Sequence, residues 1–134
     1  MTGIRALTLI VEDPSAAATA LREVAGWSVE ADFGSFASLT APGSVPLWLN
    51  APAEGEGTSR GTVLHMVCED VDAAHAHALA HGADSVREPT DMDFGERSAC
   101  VRVTALPGVT IDFSRPPSDD PAAHRAGTAE RGPR

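Results

Sequence analysis

The chain has 134 residues, 43% hydrophobic and 22% charged, which suits one domain with a modest core and excludes a largely disordered chain. Its formal net charge is −9, so a nucleic acid or an anionic membrane surface would repel it. Every basic residue is an arginine and there is no tyrosine, which removes lysine Schiff bases and phenolic acid–base chemistry.

The N-terminus runs straight into an apolar strand pattern, without the basic and long apolar regions of a signal peptide. No apolar run approaches the roughly 20 residues that span a bilayer. Cys68 and Cys100 lie far apart in sequence. With no export signal they are expected to be reduced thiols in a cytoplasmic protein.

Residues 4–11 alternate as a strand. Asp13 or Ser15 can cap a helix over 15–25, Pro14 fits its first turn, and Gly26 can stop it. Ala17, Leu21 and Val24 share one face of that helix. Strands follow at 27–31, 35–40 and 45–50, separated by turn-like segments. Residues 51–60 are rich in Gly, Pro and polar groups and read as a linker. The pattern then restarts. A strand covers 62–68, a helix capped by Asp70 covers 71–81 and ends at Gly82, and strands cover 85–88, 98–103 and 109–114. From 116 on the chain is rich in Pro, Asp, Ala and Arg without an apolar stripe, so 116–134 is expected to be a disordered tail.

The order strand, helix, three strands therefore occurs twice. Local text repeats too: I-V-E-D-P-S-A-A in the first half answers V-C-E-D-V-D-A-A in the second. Pro42-Gly43 and Pro107-Gly108 precede the last strand of each half. The expected organisation is one domain over 1–115, with module one at 4–50, the linker, and module two at 61–115.

Strand alternation assigns faces. Leu7, Leu9 and Val11 are uniformly apolar, whereas Ala6, Thr8 and Ile10 are mixed. Leu64, Met66 and Cys68 oppose Val63, His65 and Val67 in the same way. In the last strands, Leu47 and Leu49 oppose Trp48, and Ile111 and Phe113 oppose Asp112. The apolar faces should pack on the helices. Thr8, Trp48, His65 and Asp112 should then share one concave surface.

These features resemble the vicinal oxygen chelate superfamily, which includes glyoxalase I, extradiol dioxygenases, fosfomycin-resistance enzymes and bleomycin-resistance binding proteins. The likeness covers residues 4–114 and rests on I-R-A-L-T-L-I-V-E-D-P, H-M-V-C-E-D-V-D-A-A-H, F-G-E-R-S and G-V-T-I-D-F in that order. The resemblance implies an α+β fold: two βαβββ modules forming a concave mixed β-sheet cup, with helices on the outer face. It also implies a homodimer and a small-molecule ligand. The superfamily's metal enzymes carry ligands on the first and last strands of each module. Carried across, those positions fall on Ala6, Trp48, Val63 and Asp112. Only Asp112 is a metal-binding type, with His65 one strand period from Val63 as a displaced candidate. No metal and no cofactor are therefore expected.

Three functions follow from that likeness. The first is a metal-independent protein that sequesters an aromatic antibiotic or natural product. Trp48 would be a stacking surface and Phe94 a second plate, with Ala6, Thr8 and Val63 lining the cup. The second is a metal-free isomerase, cyclase or lyase using His65 and Asp112 as an acid–base pair. The third is a divergent metal-dependent lyase or dioxygenase. Arg97 either meets an anionic ligand group or pairs with Glu96 or Asp93. Acidic residues near the mouth (Asp112, Glu96 and Asp93) favour a neutral or cationic ligand. His77 and His81 have the H-x-x-x-H spacing of metal pairs, but no Glu stands between them, so they read as a solvated helix face. Trp27 reads as core, and His75 as packed where relatives carry an aromatic residue.

Overall fold

A strand–helix–three-strand unit occurs twice in the computed structural model, which describes residues 2–117. Residues 118–134, most of the expected tail, lie outside the described residues. The first unit comprises β1 (Leu7–Ile10), α1 (Pro14–Ala25), β2 (Ser28–Asp32), β3 (Phe36–Thr40) and β4 (Leu47–Asn50). The second comprises β5 (Thr62–Val67), α2 (Val71–Ala80), β6 (Asp84–Asp91), β7 (Arg97–Arg102) and β8 (Val109–Arg115).

Each unit builds a four-stranded mixed sheet, in the orders β1-β4-β3-β2 and β5-β8-β7-β6. The first and last strands of each unit pair in parallel and the other neighbours are antiparallel. The helix ends follow from the chain's own capping groups. Asp13 accepts from the Ala16 N–H and Asp70 from the Ala73 N–H, so the two E-D motifs do the same work in both units. Pro14 takes the first helical position of α1, where its missing N–H costs nothing. Gly26 stops α1 at φ 75°, a left-handed conformation that glycine adopts freely.

Three strands differ from expectation by two residues or more, each near a proline. β4 begins at Leu47, not at 45, directly after Pro46. β1 begins at Leu7, not at residue 4, which leaves Ala6 just outside the ladder. Leu7 donates to the Pro46 carbonyl, and Pro46 has no N–H to continue the pairing. β6 runs through Pro89 to Asp91, well past the expected end at 88. It is an edge strand with register shifts, where a missing N–H is tolerated.

The helices pack on one face of each sheet and against each other. Leu21, Leu39, Leu49, Val101 and Ile111 are fully buried between them. Each such side chain contributes on the order of 1.5–3 kcal/mol of hydrophobic stabilisation. On α2 the inward residues are Val71, His75 and Ala78, while Leu79 is 38% exposed. His75 is buried because its Nε2 bonds Ser85 Oγ at 2.8 Å, which satisfies the imidazole inside the protein. Between the units, the linker closes the outer edge of β1: the Ser59 N–H donates to the Ile10 carbonyl and the Ile10 N–H donates to Ser59 Oγ. Among the described residues, no helix is long and apolar enough to cross a membrane.

Candidate functional site

The faces turned away from the helices carry the polar and aromatic side chains. On the second sheet, register places His65, Asp112 and Cys100 side by side across β5, β8 and β7. Asp112 is only 7% exposed, so its carboxylate needs partners. It has several. Oδ2 accepts from Ser98 Oγ at 2.9 Å and Cys100 Sγ at 3.4 Å, and Oδ1 accepts from Ser114 Oγ. Arg87, from β6, brings Nη2 to 3.4 Å from Oδ2 and also donates to Ser98 Oγ. The Arg87 Nε is buried without a partner among the described residues.

His65 Nδ1 stands 3.7 Å from Asp112 Oδ1, within ion-pair range but beyond a hydrogen bond, and its side chain is 70% exposed. Burial pushes the Asp112 carboxyl up. Hydrogen bonds from Ser114, Ser98 and Cys100, with the charge of His65, outweigh that and hold it below the usual carboxylate value. Asp112 is thus a fixed anion and a weak proton acceptor. The Cys100 thiol is pushed up by burial and by its bond to Asp112, which keeps it protonated and unreactive. Cys68 is pushed up too, by burial and the nearby Asp70 charge. Both cysteines are free thiols.

On the first sheet, register places Thr8, Trp48 and Ser38 in one row across β1, β4 and β3. Phe36 meets Trp48 edge-on at 5.9 Å, and the Arg5 guanidinium lies 5.1 Å from the indole centroid. Phe33 stacks on Phe36 at 6.4 Å. Among the described residues Phe36, not Phe94, supplies the second ring beside Trp48. Phe94 sits exposed in the turn between β6 and β7.

The structure therefore brings His65 to Asp112 and Thr8 to Trp48, on two sheets that no ladder joins. Val63 lies exposed on the second sheet's open face, beside Thr110. Arg97 is committed to an ion-pair network: its Nε and Nη2 donate to Asp72 of α2 at 2.7 and 2.8 Å, and its Nη1 to Asp91 at 2.9 Å. His77 and His81 lie on an exposed helix face, with His77 Nε2 bonded to the Glu23 carbonyl. Trp27 packs partly against the core and borders a cavity of about 460 Å³ between the end of α1 and β5, together with Cys68 and His77. From the sequence Cys100 is placed only as a reduced thiol, and Arg87, Ser98 and Ser114 are not singled out. The polar–apolar alternation of Ser98-Ala99-Cys100-Val101 was the signal that would have placed two of them beside Asp112.

These residues do not fit the divalent metal of the superfamily's enzymes. Ala6, Trp48 and Val63 offer no donor atom, and the Asp112 oxygens already accept from three neighbours beside a guanidinium. Among the described residues no three His, Cys, Asp or Glu side chains converge as a metal cluster.

The fold has many solved counterparts. TioX from Micromonospora sp. ML1 is 23% identical, with a TM-score of 0.69 over 85% of this chain and 98% of that one. A glyoxalase/bleomycin resistance protein/dioxygenase from Nocardioides is 16% identical, with a TM-score of 0.70 over 90% of this chain and 87% of that one. A lactoylglutathione lyase from Agrobacterium tumefaciens is 18% identical, with a TM-score of 0.67 over 86% and 94%. At these identities the likeness shows the fold. No curated protein matches the chain. The family described as the glyoxalase-like domain matches residues 6–124, nearly the whole of both units, and the chain belongs to that family, within the vicinal oxygen chelate superfamily.

Proposed function

We propose that this chain binds a small aromatic molecule on the open faces of its sheets, without a metal, and so sequesters an antibiotic or a related natural product. The observation that carries this reading is Trp48. It occupies a position where the metal enzymes hold a ligand, and it lies between Phe36 and Arg5 as a half-buried flat surface. A planar ligand stacking there gains apolar contact, and the indole N–H offers one donor. The fold itself is shared by structures named for glyoxalase, bleomycin resistance and dioxygenase, so the site must decide. We take the working unit to be a homodimer. Val67 stands 79% exposed on edge strand β5, an apolar surface that a second copy would bury.

Calorimetric titration with a panel of planar aromatic antibiotics tests the reading. Binding of at least one, weakened about tenfold or more by Trp48→Ala, is expected. No binding across the panel, with turnover of some compound instead, would sink it. The approach of His65 to Asp112 favours a second reading, a metal-free isomerase, cyclase or lyase. There the exposed imidazole carries the proton and the fixed Asp112 anion orients it. In that case His65→Ala abolishes turnover while binding persists; activity that survives His65→Ala rules this role out.

A further inference from the structure

We propose that one end of the second sheet's open face is an oxyanion site, in which Arg60 and Arg102 hold a carboxylate, phosphate or sulfate group of the ligand. The proposal deepens the binding reading above and rests on the ligand lying on this face.

A cavity of about 510 Å³ opens there, lined by Thr58, Arg60, Thr62, Val63, Arg102 and Thr110 among others, and none of its lining residues is acidic. The chain has 19 acidic residues against 10 arginines, so a cavity with two guanidinium groups and no carboxylate runs against its composition. The arginines of the neighbouring clusters, Arg87 and Arg97, are paired with aspartates. Among the described residues Arg60 and Arg102 form no ion pair, although Asp84 stands opposite Arg102 in the ladder. The Arg102 Nε donates to Thr110 Oγ1 at 3.3 Å. That bond steadies the guanidinium and leaves both terminal nitrogens for a ligand. Two such forks, with threonine hydroxyls beside them, are the donor set an oxyanion needs.

Arg60 is held in place by backbone packing. A Cβ on Gly108 would lie 2.3 Å from the Ser59 carbonyl oxygen and 3.0 Å from the Arg60 Cα, so the linker is seated directly on the turn before β8. Ser59 is in turn fixed to β1 through Ile10. The site also adjoins the polar cluster. Thr110 and Val63 precede Asp112 and His65 by two residues on their strands, about 7 Å along the same face. A ligand anchored by its anion at the arginines would extend toward His65 and Asp112. Local geometry thus reverses the preference for a neutral or cationic ligand read from Asp112, Glu96 and Asp93.

The test titrates the full chain with inorganic phosphate, 1-naphthoate and the uncharged 1-naphthamide, in wild type, Arg60→Gln, Arg102→Gln and Trp48→Ala. Both arginines are exposed, and thermal melts verify that each variant folds. Naphthoate is expected to bind about tenfold more tightly than naphthamide, and either glutamine variant to erase that advantage and weaken phosphate about tenfold. Phosphate should compete with naphthoate. Equal affinity for the two naphthalenes, no binding of either anion, or anion binding indifferent to both substitutions overturns the site. Naphthamide bound through Trp48 with no carboxylate advantage refutes the oxyanion site and leaves the aromatic reading standing. Phosphate bound through both arginines, with neither naphthalene bound, supports the oxyanion site and refutes the aromatic reading.

Discussion

The His65 imidazole and the Asp112 carboxylate stand side by side on β5 and β8, with Nδ1 3.7 Å from Oδ1. The pair is asymmetric. His65 faces solvent, while Asp112 is buried under donors from three neighbouring side chains and beside Arg87.

Replacing Asp112 with Asn removes the charge that Arg87 faces and puts an amide among groups arranged to donate. A loss of about 1–3 kcal/mol at neutral pH is expected, measured by urea unfolding. The pH dependence has a definite sign. Asp112 is held below its ordinary value in the fold, so its contribution is fully present above the unfolded value of about 3.9. It is lost as the pH falls through the lower folded value. The gap between wild type and Asp112→Asn should therefore be constant from neutral pH down to about 5 and close below about 4. A gap that persists into strong acid contradicts the account of a fixed anion.

Much of the fold was legible because its signals are local. The two E-D caps, Gly26 and the period-2 faces of β1, β5 and β8 each depend on residues within a few positions. What escaped the sequence depends on pairing across strands or on summed charge. Arg87 reaches Asp112 from β6, whose ladder to β7 is shifted by bulges, so no spacing rule aligns it with β8; Ser98 and Cys100 reach it through the regular β7–β8 ladder, which depends on which strands pair. The ion-pair partner Asp72 lies 25 residues before Arg97, and Phe36 meets Trp48 only through the β3–β4 ladder. A net charge of −9 says nothing of where the unpaired arginines gather.

The core carries its own check. Leu79, the largest apolar side chain of α2, is 38% exposed, while His75 and Ala78 take the inward positions. Leu39, fully buried between α1 and the first sheet, should cost about 2–5 kcal/mol when cut to Ala. Leu79→Ala should cost under about 1 kcal/mol. Chemical denaturation of the two variants decides the face of α2: comparable losses would mean that Leu79 is packed after all.

Gly108 links stability to the cavity beside it. It has no positive φ, so any penalty for a side chain there is steric and not conformational. Its added Cβ would meet the Ser59 carbonyl at 2.3 Å and the Arg60 side chain at 3.2 Å. The carbonyl is backbone and cannot swing aside, so Gly108→Ala must lift the linker from the turn and carry Arg60 with it. A cost of about 1–3 kcal/mol is expected, together with weaker binding of inorganic phosphate. Gly57, in the same linker, would meet nothing within 4 Å and supplies the control. Gly57→Ala should leave phosphate binding intact and stability unchanged or slightly raised, since it only narrows the unfolded ensemble. If Gly108→Ala behaves like Gly57→Ala in both measurements, the linker is not seated on that turn and Arg60 loses its fixed place over the cavity.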